Sequence, residues 1–227
     1  MTINLTAHKT ILFQILKDIY KETRISPYLG FKGGTAASLF YGLDRFSIDL
    51  DFDLTDTGQA DSVHEHLEKI VKKYGTLKES YQKRFNLFYL IAYDDQSRNI
   101  KVEINKRQFG STFEIKTYLG VSMQVMILED MVAHKLMAMH ERIGKTSRDI
   151  YDVWFFLQAR YPINQAIIEN RAGITFPDFI KICIDQLEEL DNRHILDGLG
   201  EILTPSQKDR VRAKLREETI SYLRLLQ

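Results

Sequence analysis

Two hydrophobic periods share the first half of the chain. Residues 11–20 put Ile11, Leu12, Ile15, Leu16 and Ile19 at helical spacing, with Ser26-Pro27 beyond them as a stop. Residues 28–31 read as a short strand running into a Gly33-Gly34 turn, and the apolar run 36–43 as a short helix. The period then drops to two. Ile48, Leu50, Phe52 and Leu54 take one face of a strand, and Ser47, Asp49, Asp51 and Asp53 take the other. Residues 56–58 break it. Residues 60–74 read as a helix with Val63, Leu67, Ile70 and Val71 on one stripe and Gly75 as its end. Strands are expected at 77–84, weak and polar, at 87–93, strongly apolar, and at 100–105, cleanly alternating; the polar turn 94–99 predicts a hairpin. Residues 108–120 read as a loop with aromatics and 121–126 as one more strand.

From Leu128 onward the helical period runs to the end, which sets the expected domain boundary: 1–127, then a helical 128–227. Helices are expected at 128–142, from Ser147 as N-cap through Phe156, and at 164–171, 176–190, 193–203 and 206–226.

The 227 residues suit one large domain or two small ones, and 44% apolar residues suffice for a proper core. The formal net charge is zero, so a nucleic-acid partner would have to be met by local basic patches. Two are visible. Arg142, Lys145 and Arg148 surround one loop; Lys69, Lys72 and Lys73 lie on the outer face of the 60–74 helix, where a solvated face is the ordinary reading. The single cysteine, Cys183, cannot form an internal disulfide; with no leader segment and no apolar run long enough for a bilayer, a cytoplasmic protein without membrane contact is expected. The six histidines form no zinc spacing.

The candidate chemistry starts at Asp49, Asp51 and Asp53. On one strand face their carboxylates repeat about every 6.5–7 Å. Carboxylates that close raise one another's pKa unless a cation neutralises them, and Mg²⁺ is the simplest cation for hard oxygens. Aspartates on an exposed edge strand are the ordinary competing explanation. A calcium loop fails, because Leu54 stands where the turn needs glycine and Ala60 where it needs a bidentate glutamate. No P-loop is present. The Gly33-Gly34 turn before a helix could receive an anion. Glu103 shares the polar face of its strand and joins the aspartates if the two strands are neighbours. Lys135 borders the stripe Leu128, Met131, Val132, Leu136 and Met139, either snorkelling or reaching a phosphate. Asp149 and Asp152 share a helix face, and Arg148 is spaced for an intrahelical ion pair with Asp152.

Lys32-Gly33-Gly34-Thr35, then Arg45-Phe46-Ser47-Ile48-Asp49-Leu50-Asp51-Phe52, then Lys135 and Arg148-Asp149-Ile150-Tyr151-Asp152, resemble the AbiE-type nucleotidyltransferase toxin family over residues 25–160. The resemblance implies an α+β, polymerase β-like nucleotidyltransferase fold: a small mixed sheet flanked by helices, a C-terminal helical domain, and an active cleft between them. Carried over by position, Lys32, Gly33, Gly34, Thr35, Ser47, Lys135 and Arg148 would lie on the nucleotide side. Asp49 and Asp51 would hold metal, with Glu103 as third carboxylate where Asp is commoner. Asp149 or Asp152 would be the distal acid. The implied reaction uses an NTP and Mg²⁺, two ions in number, and releases pyrophosphate. The implied acceptor is an RNA 3′ hydroxyl, that of tRNA first. The implied setting is bacterial toxin–antitoxin or phage defence, with a separate antitoxin that need not touch the toxin. Two other readings stay open. One is a same-fold enzyme acting on a small molecule or protein hydroxyl. The other is a scaffold that only binds nucleotide or RNA, against which the intact Asp49, Asp51 and Lys135 argue.

Overall fold

Leu50, Phe52 and Leu54, all fully buried, seat the strand that centres the sheet. Burying each side chain is worth about 1.5–3 kcal/mol. A computed structural model describes residues 5–94, 99–200 and 202–227 and divides by contact into two units. The first unit comprises Met1–Gly42, Ser47–Gln108 and Thr112–Met126. Its elements are α1 (Leu5–Lys21), β1 (Leu29–Lys32), α2 (Gly33–Phe40), β2 (Leu50–Leu54), α3 (Ala60–Val71), β3 (Thr76–Gln82), β4 (Asn86–Ala92), β5 (Asn99–Asn105), β6 (Phe113–Tyr118) and β7 (Val121–Met126). The strand order is β3-β4-β5-β2-β1-β7-β6. β2 lies antiparallel to β1 and parallel to β5, and β1 lies parallel to β7, so the sheet is mixed.

Register divides the sheet into two faces. Phe31, Phe52 and Ile104 stand abreast on the apolar face, with Leu50, Val102 and Tyr89 beside them. The Tyr20 ring of α1 packs against Phe52, and its hydroxyl donates to the Leu29 carbonyl at 2.8 Å. Tyr89 meets His64 of α3 at 2.6 Å. On the other face Lys32, Asp51 and Glu103 stand abreast, and Asp53 is level with Asn105.

Three first-unit expectations change. Residues 113–118 form β6, not loop. In this edge strand Ile115 is 67% exposed while Lys116 and Tyr118 are half-buried, so polarity does not follow the two faces and no period shows in the sequence. A two-residue turn joins it to β7: Leu119 at φ 46 and Gly120 at φ 77 are the two left-handed residues a tight hairpin needs. β2 begins at Leu50, so Asp49 precedes it, and α2 begins at Gly33, earlier than the apolar run. β4 and β5 pair antiparallel as the hairpin requires; residues 95–98 of its turn lie outside the described residues.

The second unit comprises Leu43–Phe46, Phe109–Ser111 and Ile127–Gln227. Its helices are α4 (Leu128–Arg142), α5 (Arg148–Gln158), α6 (Gln165–Ala172), α7 (Phe176–Glu189) and α8 (Pro205–Arg224). Met131, Leu136, Ile150, Phe156, Phe179 and Leu215 are buried at its core. Thr175 caps α7, and Thr204 with Gln207 forms a capping box on α8. Ser147 takes the N-cap position of α5 without capping it; its hydroxyl donates to the His194 carbonyl at 3.3 Å. The helix expected at 193–203 does not form. Ile195, Leu199 and Ile202 are buried at helical spacing, but Gly198 at φ 75 turns the chain, leaving a 3₁₀ turn at Asn192–His194 and irregular backbone.

Candidate active site

The glycine turn and the carboxylates meet within the first unit. β1 ends at Lys32, and Gly33 follows at φ 79. A Cβ built there would stand 2.4 Å from Asp51 Oδ2. Glycine therefore does two things at this position: it adopts the left-handed backbone and lets that backbone come against a carboxylate. Behind it, the buried Thr35 hydroxyl reaches the Asp49 carbonyl and lies 2.9 Å from Ser47 Oγ. The segment ahead of β2 is thereby fixed to α2. Thr35 and Ser47 thus orient the aspartate strand, whichever ligand group lies beside them.

Asp49, Asp51 and Glu103 converge on a cation that the sequence reading left out. Lys101 Nζ lies 3.8 Å from Asp49 Oδ2, 3.8 Å from Asp51 Oδ1 and 3.3 Å from Glu103 Oε2. The parallel register of β2 and β5 sets Asp51 level with Glu103, and strand alternation brings Lys101, two residues earlier, onto the same face. Burial works to lower the Lys101 pKa, but the charges of Asp51, Asp49 and Glu103 outweigh it and hold the ammonium above its ordinary value. Glu103 is steadied from the far side by Asn86, whose Nδ2 donates to Oε1 at 3.1 Å. Asp53, nearly buried, turns away from this group. It pairs with Lys32 and accepts from Asn105 Nδ2 at 2.9 Å. Lys32 is therefore the partner of Asp53.

The donor set fits a divalent cation. Asp49, Asp51, Asp53 and Glu103 carry four formal negative charges against the two ammonium groups of Lys32 and Lys101. Three carboxylates thus face the single ammonium of Lys101, and their oxygens are hard, as a divalent ion prefers. Among the described residues no three acid, imidazole or thiol side chains stand around one point as metal ligands do. The cluster is drawn around the Lys101 ammonium instead. When bound, Mg²⁺ there would polarise phosphoryl oxygens and lower the pKa of an attacking hydroxyl. Asp49, Asp51 and Glu103 would hold it.

The second unit carries a buried ion cluster of its own. Asp152 is fully buried. Arg45 grips it with both Nε and Nη2, the latter at 2.7 Å, and Lys135 Nζ lies 2.6 Å from Oδ2. Arg45 also donates to the Phe46 carbonyl at 3.0 Å. Burial would raise the Asp152 pKa, but Arg45 and Lys135 hold it below the usual carboxylate range. Arg148 does not pair with Asp152; its Nε donates to the Gly198 carbonyl at 2.7 Å. Lys135, 8% exposed, is neither snorkelling nor idle: it neutralises Asp152. Asp149, on the same helix, is placed differently. One oxygen accepts from Arg142 at 2.9 Å, while Oδ2 is buried without a hydrogen-bond partner, and burial raises its pKa.

The two basic patches differ. On α3, Lys69 and Lys72 pair with Glu65 and Glu68 one turn away, and Lys73 lies 3.9 Å from Asp18. That face is self-neutralised, as an ordinary solvated helix face is. Around the α4–α5 loop, Arg142 is tied to Asp149 while remaining half exposed, and Lys145 is exposed. No described helix is long and apolar enough to cross a membrane.

A family described as Nucleotidyl transferase AbiEii toxin, Type IV TA system, matches residues 14–219. No protein with a curated description matches the chain. Among solved structures, a protein from H. pylori titled as a nucleotidyltransferase candidate is similar at 20% identity and TM-score 0.62, covering 100% of this chain and 96% of that one. JHP933 from Helicobacter pylori is similar at 19% identity and TM-score 0.61, covering 100% and 93%. At these identities the likeness speaks for the fold, and the expected nucleotidyltransferase architecture is the one found.

Proposed function

The chain belongs to the AbiEii nucleotidyltransferase toxin family of type IV toxin–antitoxin systems, and we propose that it moves a nucleoside monophosphate from an NTP to the 3′ hydroxyl of an RNA, tRNA first. The observation that carries the site assignment is the convergence of Asp49, Asp51 and Glu103 on one cation, with the Gly33 backbone against Asp51. A sheet face with three carboxylates grouped beside a side-chain-free backbone suits a metal-bound triphosphate. In this reading Asp49, Asp51 and Glu103 hold Mg²⁺ and Gly33-Gly34 admits the phosphates. Thr35 and Ser47 keep Asp49 in place. Lys32 keeps Asp53 neutralised. Lys135 neutralises Asp152 within the second unit. Asp152 is the distal acid that holds structure, and Asp149, with an acceptor oxygen to spare, is the one able to take a further proton or donor. Arg142 and Lys145 supply the RNA-facing charge, and the antitoxin acts on this activity.

The test is to incubate the protein with each α-labelled NTP in turn, Mg²⁺ and total RNA, and to follow where label goes. Label at RNA 3′ ends, abolished by prior periodate oxidation of the RNA, is the expected result. Label in protein or in a small molecule, or in RNA whose 3′ ends are blocked, would overturn the acceptor assignment.

A further inference from the structure

We infer that Lys101 is a tethered counter-cation that occupies the metal's place in the carboxylate cluster and must be displaced when a divalent ion binds. The inference rests on the reading that Asp49, Asp51 and Glu103 are the metal's ligands. Its own basis is the position of one ammonium, within 3.3 to 3.8 Å of all three carboxylates, on the neighbouring strand. Metal–carboxylate oxygen distances run about 2.0–2.6 Å. An ion that reached these oxygens would therefore stand in the space the ammonium fills, against a like charge.

Lysine suits this task. Its charge is a compact point on a flexible stem, able to swing out without disturbing β5. Asn86 holds Glu103 by its other oxygen, so that carboxylate keeps its place when Lys101 leaves. Without metal, the ammonium sits among three carboxylates and offsets the repulsion between them, so the site is not splayed. The cost is affinity, because each metal-binding event must first remove a favourable cation. Lys101 thus sets how much free divalent ion the site needs, without being a ligand itself.

The test is a titration with Mn²⁺, read by the EPR signal of the free ion, on nucleotide-free full-length protein. Parent, Lys101→Met, Lys101→Gln, Lys101→Arg and Asp51→Asn are compared, each first shown folded by circular dichroism. Lys101→Met and Lys101→Gln should bind Mn²⁺ about tenfold tighter or more, the scale expected for deleting a unit charge roughly 4 Å from a divalent ion. Lys101→Arg, which keeps the charge, should bind no tighter than the parent. Mn²⁺ should also raise the melting temperature of Lys101→Met more than that of the parent. Equal or weaker Mn²⁺ binding by both neutral variants overturns the counter-cation role. If instead the parent and Asp51→Asn bind Mn²⁺ alike, the assignment of the carboxylates as ligands is what fails.

Discussion

Replacing Asp152 with asparagine keeps the side chain's shape and removes its charge, which isolates what the buried cluster contributes. The parent carboxylate, fully buried, accepts from Arg45 Nε and Nη2 and from Lys135 Nζ at 2.6 Å. In Asp152→Asn those two cations, 7% and 8% exposed, lose the carboxylate that both of them hydrogen-bond, and only the more distant charge of Asp149 remains to them. Breaking a buried pair by removing one partner costs about 3–5 kcal/mol. For a chain of this size that lowers the melting temperature by about 6–20 °C. Thermal melts by circular dichroism and urea unfolding at neutral pH measure it. The triple variant Arg45→Met, Asp152→Leu, Lys135→Met should recover most of the loss, because it buries no unpaired charge. An Asp152→Asn protein within about 1 kcal/mol of the parent would refute the claim that this acid is structural.

Asp149 should behave in the opposite way. Its pKa is raised by burial, so ionising it costs the folded state stability above its unfolded value of 3.8, and that cost disappears on acidification; the lowered pKa of Asp152 gives stability that is fully present above 3.8 and is lost as pH falls through its lower folded value. Asp149→Asn should therefore melt at or above the parent at pH 7 and lose that advantage toward acid; a melt well below the parent at pH 7 would count against it. Gly33→Ala should lose transfer activity far more than stability, since the strained backbone costs about 1–2 kcal/mol while the new Cβ pushes Asp51 out of place; full turnover in that variant would separate the turn from the site. Cys183, buried with its thiol pushed up to about 12, should react with a disulfide reagent only in denaturant; rapid labelling of the native protein would show the α7 packing to be wrong.

How far the sequence could be read depended on whether a residue's partner was local. The strand at 50–54 and its apolar face followed from alternation alone, and alternation also set Glu103 on the polar face of its strand. The pairing of β2 with β5, which makes Glu103 a neighbour of Asp51, is a matter of topology that periodicity does not carry. Lys101 was within reach: the alternation that puts Glu103 on the polar face puts Lys101 there too. Arg45 was not, because its partner Asp152 is 107 residues away and no spacing rule connects them. The expected Arg148–Asp152 pair used the one rule available, helical spacing, and lost to a buried long-range cluster. β6 was hidden because polarity at this edge does not follow the two faces, and the 193–203 segment by helical spacing that Gly198 interrupts.

The most direct measurement of the central claim is transfer of label from an α-labelled NTP to RNA by Asp51→Asn beside the parent. Both are taken at concentrations where circular dichroism shows them equally folded, with Mg²⁺ in excess. Asp51 faces the Gly33 backbone and Lys101 on a half-exposed surface, so asparagine should leave the fold intact. The account predicts that the parent labels RNA 3′ ends and that Asp51→Asn loses at least about 10²-fold, the scale on which a site loses a group that positions transition-state charge. Turnover by Asp51→Asn within a few-fold of the parent would contradict the account, because the chemistry would then lie elsewhere in the chain.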